Sequence, residues 1–224
     1  MAKSSSKPYQ PVLFRLLHGF TALFVLLALD TGFWVYDIYD GRWGRLGLPQ
    51  IEDMQGIHGT IAVIFLVLLP FFAAYSFRLG DRRLVQDNSL AQLKQLGKPI
   101  WWVSVHRLIN TGMLLAGTLA VITGRMMKEE WLPAGELNHI AYFGHLLAWV
   151  VMFGVVALHL LLGIKVGGVP LLASMVSLAW REGDRPRDWL KGFRQKHGSK
   201  LLQTLEIVVG LGVVFAFIVP LFSS

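Results

Sequence analysis

Five long apolar stretches, separated by polar connections, organise this 224-residue chain. They fall at residues 12–36, 57–77, 103–123, 141–165 and 201–222. At roughly 1.5 Å of rise per residue, a helix of about twenty residues crosses a hydrocarbon layer about 30 Å thick. Backbone polar groups in lipid must be satisfied within the segment, so these stretches are predicted to be helices. Gly112, Gly117, Gly154 and Pro70 lie inside them and are tolerated there as points of close packing or bending. Lys3, Lys7 and Arg15 ahead of the first run give it a superficial likeness to a signal peptide. The run continues past the usual apolar core of about 7–15 residues and ends in no small-residue cleavage pattern, so a retained first span is expected.

The polar connections differ in charge. Of the 21 Lys and Arg residues, seventeen fall in the N-terminal tail and in the 78–107 and 165–200 connections. The 37–56 and 124–140 connections hold the other four, Arg42, Arg45, Arg125 and Lys128. Positive flanks stay on the cytoplasmic side, which predicts a cytoplasmic N-terminus and outward-facing first and third loops. The 165–200 connection contains VPLLASMVSLAW and then REGDRPRDWLKGFRQKHGSK. It reads as an interfacial amphipathic segment followed by a basic, Trp-bearing surface piece, either a headgroup anchor or a docking surface for a partner.

Composition agrees with an integral membrane protein. The chain is 54% hydrophobic and 16% charged, where soluble domains carry about a quarter charged residues. Its net charge of +7 is accounted for by topology and lipid contact rather than nucleic acid. Cysteine is absent, which excludes disulfides, a thiolate haem ligand and cysteine-held iron–sulfur clusters.

Candidate chemistry lies with the histidines. His145 and His159 stand fourteen residues apart in HLLAWVVMFGVVALH. Fourteen helical steps return to within about 40° of the same face and rise roughly 21 Å. One helix thus offers an imidazole near each membrane surface. His18 lies early in an inward-to-outward helix and His159 late in an outward-to-inward one, so both fall near the cytoplasmic face. His58 and His145 both begin outward-to-inward helices, near the outer face. Pairing by depth gives His18 with His159 and His58 with His145, the arrangement that ligates two haems b. Two imidazoles complete the coordination of each iron and leave no open position, which suits single-electron transfer. Ionisable residues at this depth are rare and usually functional. His106 competes with His18 as a ligand or lies at the headgroup boundary near a bound quinone; His139 and His197 fall in connections and are expected to be solvated.

The segments RLLHGFTALFVLLALDTG, QGIHGTIAVIF and HLLAWVVMFGVVALHLLLG resemble the first, second and fourth helices of the bacterial cytochrome b561 superfamily. The likeness runs over about residues 11–166 and is nearest to the cytochrome b subunits of respiratory formate dehydrogenase and nickel–iron hydrogenase. It implies two haems b on the same four histidines, with a quinone beside the cytoplasmic-side haem. HRLINTGM places Asn110 and Gly112 where the formate dehydrogenase member binds menaquinone: an amide to hydrogen-bond a carbonyl and a glycine to leave room for the ring. Arg15, Arg107 and Lys165 inside, and Arg125, Arg42 and Arg45 outside, are candidates to neutralise haem propionates. The fifth span departs from those subunits, which generally lack it.

The chain is therefore expected to be an all-α membrane protein of the bacterial inner membrane or an internal membrane. Residues 1–166 form a four-helix di-haem core, 167–200 a cytoplasmic connection and 201–224 a fifth transmembrane helix. The leading functional expectation is electron exchange between a redox partner protein at the outer face and a quinone near the inner haem. No iron–sulfur, molybdenum or nickel motif is present, so a primary dehydrogenase would be another polypeptide. A stand-alone quinol-linked cytochrome with a diffusible partner, and a haem-free transporter or assembly factor, are the other classes left open. Self-association is also left open.

Overall fold

A computed structural model describes residues 9–128, 139–181, 184–191, 193, 199–218 and 221. The five apolar stretches are helices: α1 (Val12–Tyr39), α2 (Met54–Arg78), α4 (Pro99–Lys128), α5 (Ile140–Val176) and α6 (Lys200–Ile218). A single-turn helix, α3 (Ser89–Gln92), lies in the connection between α2 and α4. All five long helices are apolar enough to cross a membrane. The predicted edges hold to within about five residues except at the end of α5, which continues past the predicted 165 to Val176. His197, Lys3, Lys7 and the end of the fifth stretch at Phe222 lie outside the described residues.

Helices α1, α2, α4 and α5 close into a ring: α1 packs on α2, α2 on α4, α4 on α5 and α5 back on α1. Helix α6 lies outside this ring, against α2 and α4. Its docking depends on a small residue, because a Cβ at Gly212 would sit 2.5 Å from Thr118 Cγ2 and 3.1 Å from Ile122 Cδ1. Leu202, Val209, Val213 and Ala216 of α6 join Phe65, Leu66, Leu69, Phe77 and Leu114 in one buried cluster. An ion pair, Arg78 Nε to Glu206 Oε1 at 2.6 Å, links α6 to the end of α2.

Local chemistry sets the helix ends. Asp53, at φ 54°, caps α2 by accepting the Gly56 N–H. His139, partly exposed, accepts the Ala141 N–H and caps α5. Pro11 offers α1 no side-chain cap. Asp184 does so from the far end of the chain: its Oδ2 accepts the Val12 N–H at 2.6 Å and the Tyr9 hydroxyl at 2.5 Å. Helix α5 breaks at Gly168, whose φ of 66° and ψ of −178° turn the chain just before Pro170. The span thus ends near the predicted 165, and the segment after the break, 169–176, is the piece read from sequence as interfacial.

Candidate functional site: two facing histidine pairs

The ring brings the four expected histidines together in two pairs. The His18 and His159 rings lie 6.0 Å apart, centre to centre, and those of His58 and His145 lie 6.1 Å apart. The pairs occupy opposite ends of the bundle, separated by the fourteen residues between His145 and His159, or roughly 21 Å of helix.

The same spacing recurs on every helix of the ring. On α1, Gly32 follows His18 by fourteen residues and abuts His58; a Cβ there would lie 3.1 Å from His58 Cε1. On α2, Phe72 follows His58 by fourteen and meets the His18 ring at 6.3 Å. On α4, Gly124 follows Asn110 by fourteen; Asn110 touches His159, and a Cβ at Gly124 would lie 3.3 Å from His145 Cε1. Each helix therefore serves both sites with one repeat. Midway between them, Gly117 lets Phe65 and Met152 approach, and Val25 packs against the same layer, so the pairs are separated by apolar side chains.

Hydrogen bonds decide which nitrogen of each ring is free. The single hydroxyl hydrogen of Thr31 goes to the Leu27 carbonyl, so its Oγ1 accepts from His58 Nδ1 at 3.0 Å. Thr123 likewise donates to the Leu119 carbonyl and accepts from His145 Nδ1 at 3.1 Å, as does the Ala120 carbonyl. Asn110 Nδ2 donates to the Arg83 carbonyl, which orients the amide so that Oδ1 accepts from His159 Nδ1 at 2.8 Å. All three rings thus carry their proton on Nδ1, leaving the Nε2 lone pair as the ligating atom. Phe14 and Phe72 flank the His18 ring.

These pairs fit haem iron. A ring centre lies about 1.1 Å from its nitrogens and metal–imidazole bonds are about 2.0 Å, so two rings on opposite sides of one iron have centres about 6 Å apart. No group of three or more His, Asp or Glu suited to a bare ion occurs among the described residues, and a macrocycle would supply the remaining ligands itself. Buried polar atoms without partners also gather here. Thr21 Oγ1 and two nitrogens of Arg15, Nε and Nη1, three residues after and before His18, lack hydrogen-bond partners among the described residues.

The other expected residues are distributed as follows. His106 lies beside His159, ring centres 5.2 Å apart, with its Nε2 3.4 Å from His159 Nδ1, at the edge of the ring already bonded to Asn110. Gly112 turns toward α5, where a Cβ would meet only Val155 Cγ1 at an ordinary 3.6 Å. Arg107 donates to the Arg82 carbonyl, and Lys165 stands over the Trp102 ring at 5.2 Å. Arg42 pairs with Asp40, and Arg45 donates to the Asp40 carbonyl. Thr31, Gly32, Thr123 and Gly124 were not singled out from sequence, although the fourteen-residue relation of Gly32 to His18 and of Gly124 to Asn110 was there to be read.

An all-helical membrane bundle with facing imidazole pairs is the architecture of a membrane b-type cytochrome. The chain belongs to the prokaryotic cytochrome b561 family, whose model matches residues 9–178. The match spans the four-helix ring and runs past the break at Gly168, stopping before α6. No curated protein and no solved structure matches the chain. As a member of that family it is an integral membrane electron-transfer protein that binds haem b.

Proposed function

We propose that the chain holds two haems b, one on His18 and His159 and one on His58 and His145. It would pass electrons between a redox partner protein at the His58/His145 end and a membrane quinone at the His18/His159 end. The observation that carries this reading is the pair of matched imidazole spacings, 6.0 and 6.1 Å, at opposite ends of one bundle. Haem in such a site supplies reversible one-electron chemistry.

The chain's own residues account for the remainder. Thr31, Thr123 and Asn110 hold three imidazoles in the ligating tautomer, so bonding to iron requires no prior rearrangement of the proton. His106 meets His159 on its non-ligating edge, which supports His18 rather than His106 as the opposing ligand. The apolar layer of Val25, Phe65 and Met152 keeps water from linking the two ends. Asn110 Nδ2 has a second N–H beyond the one given to Arg83, able to donate to a quinone carbonyl, with Gly112 near it on α4 and His106 available for the proton. The uneven distribution of Lys and Arg supports a cytoplasmic position for this end and an inner-membrane location.

A dithionite-minus-oxidised spectrum with pyridine-haemochrome quantitation tests the reading on the purified chain. Two haems b per chain are expected, falling to one in His145→Ala and to one in His159→Ala. A folded chain that takes up no haem under ample supply would overturn it.

A further inference from the structure

Arg15 lies in the first turn of α1, three residues before His18, and is only 9% exposed. One nitrogen, Nη2, donates to the Ala179 carbonyl at 2.5 Å. The other two, Nε and Nη1, are buried without a hydrogen-bond partner among the described residues. Asp184, whose Oδ2 accepts from Tyr9 and the Val12 N–H, is not among their hydrogen-bond partners. A guanidinium cannot shed its charge, so two buried N–H groups without an acceptor are costly unless an anion completes them. A second cation stands close by. The Arg83 guanidinium lies 4.2 Å over the Phe14 ring, and that ring is 5.5 Å from the ring of His18. The hydrogen-bond partner of Arg83 is the neutral Gln10, at 2.6 Å. Arg83 thus stands beside the aromatic neighbour of His18, and Arg15 one turn before His18 on the same helix. Among the described residues no carboxylate is hydrogen-bonded to either, although Asp81 acts on Arg83 through space.

We propose that Arg15, supported by Arg83, forms an oxyanion site at the edge of the His18/His159 pair. Its ligand is a carboxylate or phosphate oxygen. Two molecules bring such oxygens to this depth: haem, through its propionates, and an anionic phospholipid. The haem source rests on the reading given above; the lipid source does not. Arg107, on the Arg82 carbonyl, and Lys165, over the Trp102 ring, are equally plausible from sequence, but neither has the buried, unpartnered nitrogens that Arg15 has, even though Arg15 itself lies 5.3 Å over the Tyr9 ring. Arg83, which no pattern in the sequence marks, takes their place.

The test uses the full-length chain expressed without haem and titrated in nanodiscs with haem or with haem dimethyl ester, whose carboxylates are blocked. Soret absorbance gives binding, and native mass spectrometry gives retention of phosphatidylglycerol. If the oxyanion belongs to haem, Arg15→Gln weakens one of the two haem-binding steps about tenfold, the loss expected for one charge-assisted hydrogen bond. Arg15→Lys restores most of it, and with the dimethyl ester wild type and Arg15→Gln become equal. If it belongs to lipid, Arg15→Gln loses bound phosphatidylglycerol while haem and its ester bind as in wild type. Arg15→Gln that matches wild type for haem, ester and phosphatidylglycerol alike overturns the proposal. A wild-type chain that binds neither form of haem overturns the haem reading instead, and leaves the lipid arm readable.

Discussion

Asn110 Oδ1 lies 2.8 Å from His159 Nδ1, while the same amide donates to the Arg83 carbonyl. The amide is thereby locked to one orientation, and the imidazole to one tautomer. An acceptor on the far side of a ligating ring raises the ring's basicity and favours the more oxidised metal. Asn110→Leu is therefore expected to raise the midpoint potential of one spectral component, and Asn110→Asp to lower it, leaving the other component in place. Redox titration monitored in the α-band separates the two. Loss of quinone-analogue binding with both potentials unmoved would assign the amide to quinone alone.

Gly32 and Gly124 are positions where the backbone presses on a ligand. Added Cβ atoms would meet His58 Cε1 at 3.1 Å and His145 Cε1 at 3.3 Å. Gly32→Val and Gly124→Val should each displace a ring at the same end of the bundle. Losing the hydrogen-bond partner that orients a ligating ring costs about 10–100-fold in metal affinity, and pushing the ring off that partner acts in the same way. Haem content near one per chain, with the His18/His159 component intact, is the expected result for either variant.

The fifth helix is held by shape more than by charge. Arg78 and Glu206 are each partly exposed, 30% and 24% at the side chain, and such pairs contribute about 0–1 kcal/mol. Filling the contact of Gly212 with Thr118 forces the two helices apart, at a cost of about 1–3 kcal/mol. Glu206→Gln should leave thermal unfolding almost unchanged. Gly212→Leu should lower the midpoint.

Asp40 sets an acid limit on the loop between α1 and α2. Burial pushes its carboxyl up, but the bonds from Arg42 at 2.8 Å and Tyr142 at 2.8 Å outweigh that and hold it below its ordinary value. A carboxyl whose pKa is depressed by folding stabilises the folded state above its unfolded pKa, near 4, and loses that contribution as pH falls further. Stability measured from pH 6 to pH 3 should fall less steeply in Asp40→Asn than in wild type, with the two curves converging at the acid end.

The spans were legible because lipid imposes a length and a composition that soluble packing does not, and the four histidines were legible because a helix repeats its face after fourteen residues. What escaped is of two kinds. Thr31 and Thr123 look like ordinary polar residues in a span until the Leu27 and Leu119 carbonyls are seen to take their hydroxyl hydrogens. Arg83 and Asp184 act across the fold rather than along a helix. Asp184 caps a helix that begins 172 positions earlier, and no local pattern announces such a contact. The break at Gly168 was legible only as a change from apolar span to amphipathic segment, since a single glycine before Val-Pro does not disclose its φ.

The cap that Asp184 places on α1 also ties assembly to chain order. Proteins are made from the N-terminus, at about 5–20 residues per second. The partners His58 and His145 are both available once the fourth span has begun to emerge. The partners His18 and His159 must wait for its end, and the first span acquires its N-terminal cap only after the chain has passed Gly168 and turned back along the surface. The earliest helix to enter the membrane is thus the last of the four-helix ring to be fastened, and the two ends of the bundle mature in sequence, the His58/His145 end first.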